Sequence, residues 1–161
     1  MLSWETMTTR QTTNNDQRAD VLVVEDESLV NEMICWSLEE LGYRVIARAY
    51  TGTKGIELTE SQKPDVIILD ISLPDMHGIE VIRRIHETHP TPVVVLTAHE
   101  TLELVRQAGR AGAGAYLIKP ASGQQIERAI TIAMAEFDRF NRLQERIDTL
   151  QNKLSNSQAR Y

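Results

Sequence analysis

The sequence has a single cysteine, few aromatic residues and no long apolar run. Cys35 alone cannot build an internal disulfide framework or a cysteine-ligated zinc site. Aromatic residues make up only 5% of the 161 residues, which argues against a stacking platform for single-stranded nucleic acid. The apolar runs are only a few residues long, too short for a membrane-spanning helix.

Positive charge is also in short supply. The chain has 17 basic and 23 acidic residues and a net charge of −6, so it is not expected to bind nucleic acid directly. The N-terminus carries Glu5 and lacks a basic segment followed by an apolar one, so it does not read as a secretory signal. These features predict a cytoplasmic domain without membrane contact.

The chain divides into a polar tail and a regularly patterned domain. Residues 1–19 are rich in Thr, Asn and Gln without periodicity, and they are expected to form a disordered tail. Over residues 20–137, five short apolar runs at 21–24, 43–50, 66–69, 92–96 and 114–118 alternate with helical patterns. This alternation predicts an α/β fold with a doubly wound, five-stranded parallel sheet.

The last helix is predicted to extend beyond the domain. Ser122 and Gln125 have the spacing of a capping box, and nothing breaks the helical pattern until about Ser155. Its second half carries apolar residues spaced alternately by three and four, namely Phe140, Leu143, Ile147, Leu150 and Leu154. Residues 138–161 are therefore expected to form a short coiled coil that pairs two copies of the chain, parallel or antiparallel.

Polar residues follow four of the predicted strands. They are Glu25 and Asp26, Asp70, Thr97, and Lys119, and the carboxyl ends of parallel strands gather on one edge of a sheet. Three carboxylates on one edge repel each other unless a cation compensates them, and Mg²⁺ prefers such oxygen ligands. A lysine and a threonine suit phosphoryl oxygens, so the pattern predicts a magnesium and phosphoryl site with a carboxylate as nucleophile.

Four short strings carry a resemblance to a known family. They are Val23-Val24-Glu25-Asp26-Glu27, Ile68-Leu69-Asp70-Ile71-Ser72-Leu73-Pro74-Asp75-Met76-His77-Gly78, Val95-Leu96-Thr97-Ala98 and Tyr116-Leu117-Ile118-Lys119-Pro120. In this order, with one α/β unit between them, they resemble the response-regulator receiver domain of two-component signalling. The resemblance spans about residues 20–137 and implies a flavodoxin-like sheet of the receiver type, with the last helix extended.

The resemblance also implies roles for the acidic residues. Asp70 would be the phosphoacceptor and would ligate Mg²⁺ together with Asp26. Glu25 would hold waters of the metal, and the backbone carbonyl of Ser72 would complete the protein ligands. The acidic pair is Glu-Asp rather than Asp-Asp, a variant expected to keep magnesium binding.

Three further residues complete the implied site. Thr97 and Lys119 would contact the phosphoryl group, and Tyr116 would be an aromatic switch residue. The peptide bond between Lys119 and Pro120 would be cis. Ser72 and His99 stand at the two positions thought to tune phosphoryl lifetime, which leaves the dephosphorylation rate open.

The implied function is to take a phosphoryl group from a histidine kinase or phosphotransfer protein onto Asp70 and to change shape. Such a domain assists its own phosphorylation and dephosphorylation but is not an enzyme that turns over a substrate. One alternative is an aspartyl-nucleophile phosphatase on a related fold, which would need a second carboxylate where this chain has Ser72. The other is a pseudo-receiver, an interaction module without phosphoryl turnover.

The C-terminal part resembles one subgroup of these regulators. A receiver that continues into a helix with Phe137, Phe140 and Leu143 is similar to regulators with a small RNA-binding antiterminator domain. Such a domain would follow Tyr161; otherwise the helix itself is expected to be the output.

Overall fold

Five parallel strands form one sheet in the computed structural model, which describes residues 18–99 and 101–159. The predicted tail over residues 1–17 lies outside these residues. The strands are β1 (Asp20–Val24), β2 (Arg44–Ala49), β3 (Val66–Asp70), β4 (Val93–Thr97) and β5 (Ala115–Ile118). Their order across the sheet is β2-β1-β3-β4-β5, so the chain reverses its winding direction after β2. The predicted doubly wound parallel sheet is confirmed.

A helix follows each strand. The helices are α1 (Ser28–Glu40), α2 (Gly52–Gln62), α3 (Gly78–Thr88), α4 (Leu102–Ala111) and α5 (Gly123–Gln158). The first and last helices pack together on one face of the sheet, whereas α3 lies between α2 and α4 on the other. Every strand except the edge strands is therefore covered on both faces, which explains the nearly continuous apolar runs.

The core consists of two apolar clusters, one on each face of the sheet, because successive side chains of a strand point to opposite faces. In β1, Val21 and Val23 pack toward α1 and α5, whereas Leu22 and Val24 pack toward the three other helices. All four side chains are completely buried. Full burial of each such side chain contributes about 1.5–3 kcal/mol before conformational entropy is counted, so this strand anchors both layers.

Short polar residues and glycines set the helix ends. The Ser122 hydroxyl accepts from the Gln125 amide while the Gln125 side chain accepts from the Ser122 amide, so the predicted capping box is present. The sequence pattern predicts a helix from about Thr101 to Gly109, but α4 continues to Ala111 and stops at Gly112, whose φ is +117°. Gly109 is tolerated inside the helix, and the left-handed conformation at Gly112 is the actual stop.

Helix α5 packs on the sheet for only its first third. Its buried residues end at Ala133, and every described residue from Asp138 onward is exposed. At about 1.5 Å per residue, the 36-residue helix is roughly 54 Å long and projects well past the sheet. None of the helices in the described part of the chain combines the length and apolarity needed to cross a bilayer.

Candidate functional site

The predicted polar residues gather at the carboxyl edge of the sheet. Glu25 and Asp26 follow β1, Asp70 ends β3, and a carboxylate oxygen from each lies within 4.8 Å of the other two. Glu25 is fully buried and Asp70 is nearly so, while Asp26 is half-buried at the rim. The structure therefore brings the three acidic residues into one cluster with a single open side.

Lys119 supplies the positive charge of this cluster. Its ammonium donates to Glu25 Oε1 at 2.6 Å and to Asp70 Oδ2 at 3.0 Å. The Lys119–Pro120 peptide is cis, as the sequence led us to expect. Burial alone would lower the pKa of the Lys119 ammonium, but its bonds to Glu25 and Asp70 outweigh burial and raise it. Lys119 therefore stays charged at neutral pH.

The pKa values of the two buried carboxyl groups, Glu25 and Asp70, are shifted in opposite directions. Burial, reinforced by the neighbouring Asp70 carboxylate, raises the pKa of Glu25 to about 8 against the pull of Lys119. Burial also opposes ionisation of Asp70, but its interactions with Glu25, the Ser72 amide and Lys119 prevail and lower its pKa. One ammonium does not compensate three carboxylates, so the charged form is disfavoured at Glu25 and favoured at Asp70.

A hard cation fits this donor set. Among the residues that the structure describes, Glu25 Oε2 is buried without a hydrogen-bond partner, and the other possible metal ligands of the cluster are likewise carboxylate oxygens. Buried polar atoms are normally paired, so this oxygen is suited to a cation or its bound water. Glu25, Asp26 and Asp70 are the residues that would hold it.

The loop after β3 is fastened close to Asp70. The Ser72 amide donates to Asp70 Oδ1 at 3.0 Å, and Ser72 pairs with His77 in an isolated antiparallel bridge. The Gly78 amide donates to the Ile71 carbonyl at 2.8 Å, and a Cβ at Gly78 would lie 2.7 Å from the Ile71 Cα. Glycine is therefore required where α3 begins, which fixes the loop that carries Ser72 beside the acidic cluster.

The sequence reasoning missed two residues that position this edge. Asn31 is fully buried in α1, and its amide donates to the Glu25 carbonyl at 3.0 Å, fastening the β1–α1 loop. Its signal was a polar residue in register with the apolar face of a helix. Asp75 accepts from the Gly52 amide at 2.7 Å and the Thr53 amide at 2.9 Å, thereby capping α2. No local signal identifies that contact, because its partners lie more than 20 residues away.

Thr97 and Tyr116 are the two residues predicted to read out phosphorylation. The Thr97 hydroxyl donates to the His99 carbonyl at 2.7 Å and accepts from the His99 amide at 3.2 Å. Thr97 is thus engaged with its own loop, although its side chain is buried at the end of β4. The Tyr116 side chain is 43% exposed on β5.

Comparisons with known proteins agree with this architecture. The model of the response regulator receiver domain matches residues 21–131. The signal receiver domain of NarL from Mycobacterium tuberculosis superposes with a TM-score of 0.70 at 29% identity, covering 74% of this chain and 98% of that domain. The response regulator domain of CheB from Thermotoga maritima gives 0.67 at 26% identity, covering 72% of this chain and 96% of that one.

Curated relatives extend the match to longer regulators. The transcriptional regulatory protein PdtaR of Mycobacterium tuberculosis is 37% identical over 134 residues, covering 83% of this chain and 65% of PdtaR. The transcriptional regulatory protein AfsQ1 of Streptomyces coelicolor is 34% identical over 119 residues, covering 74% of this chain and 52% of AfsQ1. The alignments therefore span only half to two-thirds of these relatives. Because the family model covers most of the chain, this protein belongs to the response regulator receiver domain family.

Proposed function

We propose that the chain is a phosphoacceptor that takes a phosphoryl group onto the Asp70 carboxylate. The supporting observation is that Asp70 is 3% exposed, with Oδ1 held by the Ser72 amide and Oδ2 held by Lys119. A carboxylate whose two oxygens are each held by a donor is fixed in position, as a nucleophile that attacks a phosphorus atom needs to be. The donor would be a phosphohistidine of a kinase or phosphotransfer protein in the cytoplasm.

The transfer exchanges one bond for another. The phosphorus–nitrogen bond of the donor histidine breaks, an oxygen–phosphorus bond to Asp70 forms, and the leaving imidazole nitrogen takes up a proton. Negative charge then accumulates on the phosphoryl oxygens, where the Lys119 ammonium can shift from the carboxylates to meet it. The chain thus assists its own phosphorylation without turning over a substrate.

Mg²⁺ is the cofactor that we propose for this site. Glu25, Asp26, Asp70 and the Ser72 carbonyl would hold it, with Glu25 acting through bound water. When bound, the ion would offset the charge of the carboxylates and of the incoming phosphoryl group. Asp26 is half-buried and Glu25 is buried, and a carboxylate oxygen of each lies within 4.8 Å of the other, so both residues could serve the same ion.

The readout that we propose runs through Thr97 and Tyr116. A phosphoryl oxygen on Asp70 would compete with the His99 carbonyl for the Thr97 hydroxyl, because that bond is confined to the β4–α4 loop. Movement of Thr97 would vacate space at the end of β4, and the Tyr116 ring would turn inward to fill it. Such a shift needs only a differential affinity of a few kcal/mol between two states.

Intact mass spectrometry tests the phosphoacceptor role. Incubation with acetyl phosphate and Mg²⁺ should add one phosphate to the wild-type chain and to Asp65→Asn, whose carboxylate lies just before β3 at the far edge. Asp70→Asn or removal of Mg²⁺ with EDTA should abolish the gain. Full phosphorylation of Asp70→Asn would refute the assignment, and a wild-type chain that never gains phosphate would indicate a pseudo-receiver.

The same experiment addresses the phosphatase alternative. A phosphatase would release phosphate from excess acetyl phosphate over many turnovers while little phosphoprotein accumulates, whereas a phosphoacceptor should accumulate as the phosphoprotein. Ser72 stands two residues after Asp70, where an aspartyl phosphatase would need a carboxylate, and its backbone amide already holds Asp70. We therefore expect the rate of phosphate release not to exceed the rate at which phospho-Asp70 is hydrolysed.

A further inference from the structure

The part of α5 beyond the sheet carries an apolar stripe along one side. Its residues follow a seven-residue repeat in which Phe140, Ile147 and Leu154 occupy position a, and Leu143 and Leu150 occupy position d. Ile147 is 47% exposed and Leu154 is 63% exposed, and among the described residues the one ring contact to the stripe is that of His86 in α3 with Phe140, at its beginning. Exposed large side chains in such a continuous row are typical of an interaction surface.

We propose that this stripe pairs with the same stripe of a second copy, forming a parallel, in-register, two-stranded coiled coil. The central layers of the stripe support two strands, because β-branched Ile147 at position a with Leu150 at position d is the combination that favours parallel dimers. The stripe runs from Phe140 to Leu154, which is roughly 22 Å of helix. This length predicts a reversible dimer rather than a permanent one.

The charges beside the stripe select the parallel orientation. One flank, position g, is entirely cationic with Arg139, Arg146 and Lys153. The other flank, position e, is entirely neutral with Gln144, Gln151 and Gln158. In a parallel pair each g residue faces the e residue five positions later in the second copy, so every cation would face a glutamine amide.

An antiparallel pair would instead bring g against g. With the same apolar layers in contact, Arg146 of each chain would face Lys153 of the other. The antiparallel pair would therefore contain two repulsive contacts, and position g offers no acidic residue to offset them. Like charges held at such short distance disfavour that arrangement. The asymmetry between the flanks therefore acts against antiparallel pairing while leaving parallel pairing neutral.

The position of the stripe keeps the phosphorylation edge free. Gly114, just before β5, lies against the α5 backbone at Ala133, where an added Cβ would be 2.7 Å from the Ala133 Cα. Phe140 lies near His86 at the end of α3, with ring centroids 6.4 Å apart. Both contacts lie at the amino edge of the sheet, opposite Asp70. A parallel coiled coil would thus hold both Asp70 edges at the same, outer end of the dimer.

Cysteine cross-linking of the full chain distinguishes the orientations. Leu143→Cys and Ser157→Cys both occupy position d, so in a parallel pair each should form a symmetric disulfide under mild oxidation. In the antiparallel pair Leu143 would lie opposite Leu154, so neither variant alone should cross-link. The wild-type chain, whose Cys35 is buried, and Asn152→Cys on the outer face serve as controls that should remain uncross-linked.

Charge substitution gives a second test that leaves the apolar layers intact. Gln151→Glu would face Arg146 of the second copy in the parallel pair, and we expect the dimer dissociation constant to fall about threefold for the two new ion pairs. Gln151→Lys should raise it by a similar factor, and 1 M salt should remove both effects. Asn152→Glu and Asn152→Lys change the net charge equally on the outer face and should leave the constant unchanged.

Sedimentation equilibrium on unphosphorylated protein supplies the dissociation constants. The parallel pair is supported if Gln151→Glu lowers the dissociation constant, Gln151→Lys raises it, and both cysteine variants form symmetric disulfides. Equal responses at positions 151 and 152, or a disulfide only in mixtures of Leu143→Cys with Leu154→Cys chains, would overturn it. A wild-type chain that stays monomeric at high micromolar concentration would overturn self-association itself, without bearing on phosphorylation of Asp70.

Discussion

The Lys119 ammonium lies closer to Glu25 than to Asp70, at 2.6 Å against 3.0 Å. The lysine therefore serves first as the partner of a completely buried carboxyl group and only second as a contact of the phosphoacceptor. Removing it would leave two buried acidic groups to face each other without a cation. This relationship ties the stability of the fold to the chemistry at the same edge.

Lys119→Ala is expected to lower the free energy of unfolding by about 3 kcal/mol, because breaking a buried ion pair leaves an uncompensated charge. Lys54→Ala is the matched control. Its 3.4 Å pair with Glu57 is exposed, and its loss should cost less than about 1 kcal/mol. Urea denaturation in EDTA measures both. Equal losses in the two variants would show that Lys119 is no more than a solvated lysine at a strand end.

The Asp75 cap of α2 predicts a pH-dependent loss of stability. Burial opposes ionisation of Asp75, but hydrogen bonds from Thr53 and Gly52 outweigh it and lower the pKa from 3.8 to about 2. Because the folded pKa is depressed, the contribution is complete above about pH 4 and is lost as pH falls toward 2. Asp75→Ala should cost about 1 kcal/mol at pH 6, as loss of a helix cap does.

Urea denaturation of wild type and Asp75→Ala at pH 6 and pH 3 measures this dependence. The difference in the free energy of unfolding between wild type and Asp75→Ala should be smaller at pH 3 than at pH 6, because protonation of Asp75 weakens the cap in wild type. Asp138→Ala, on the exposed part of α5, is a control for removing one carboxylate. A gap at pH 3 as wide as that at pH 6 would contradict the assignment of the low pKa to the cap.

The sheet and the cluster at its edge were predictable because both rest on local patterns. Strand ends are marked where an apolar run meets Glu25, Asp70 or Lys119, and parallel strands must bring such ends together. Contacts that depend on how separate loops pack were not predictable. The sequence does not say that Asp75 reaches Gly52, or that Lys119 favours Glu25, since these pairs are 23 and 94 residues apart.

The end of α4 shows a second limit of sequence patterns. The sequence pattern predicts a helix that ends at about Gly109, but an added Cβ there would meet nothing within 4 Å, so alanine would fit equally well at this position. At Gly112 and Gly114, by contrast, backbone conformation and close packing require glycine. Composition alone does not separate these cases, because the difference lies in what surrounds each Cα.

That difference gives a matched pair of substitutions. Gly114→Ala should cost about 1–3 kcal/mol, because its Cβ would press on the α5 backbone at Ala133, which has little freedom to move. Gly109→Ala should add up to about 1 kcal/mol of stability, since alanine is the better helix former and open space surrounds it. Chemical denaturation measures both. Effects of the same sign would contradict the packing of α5 against the start of β5.

The last prediction concerns the Thr97 hydroxyl, whose bonds to His99 keep it in the β4–α4 loop. Thr97→Ala should still take up phosphate on Asp70 but lose the conformational response, because no hydroxyl remains to follow the phosphoryl oxygen. Thr97→Ser keeps the hydroxyl and should retain most of the response. Amide chemical shifts over residues 101–120, before and after phosphorylation, should therefore move in wild type and Thr97→Ser but not in Thr97→Ala. Identical movements in all three proteins would exclude Thr97 as the link to Tyr116.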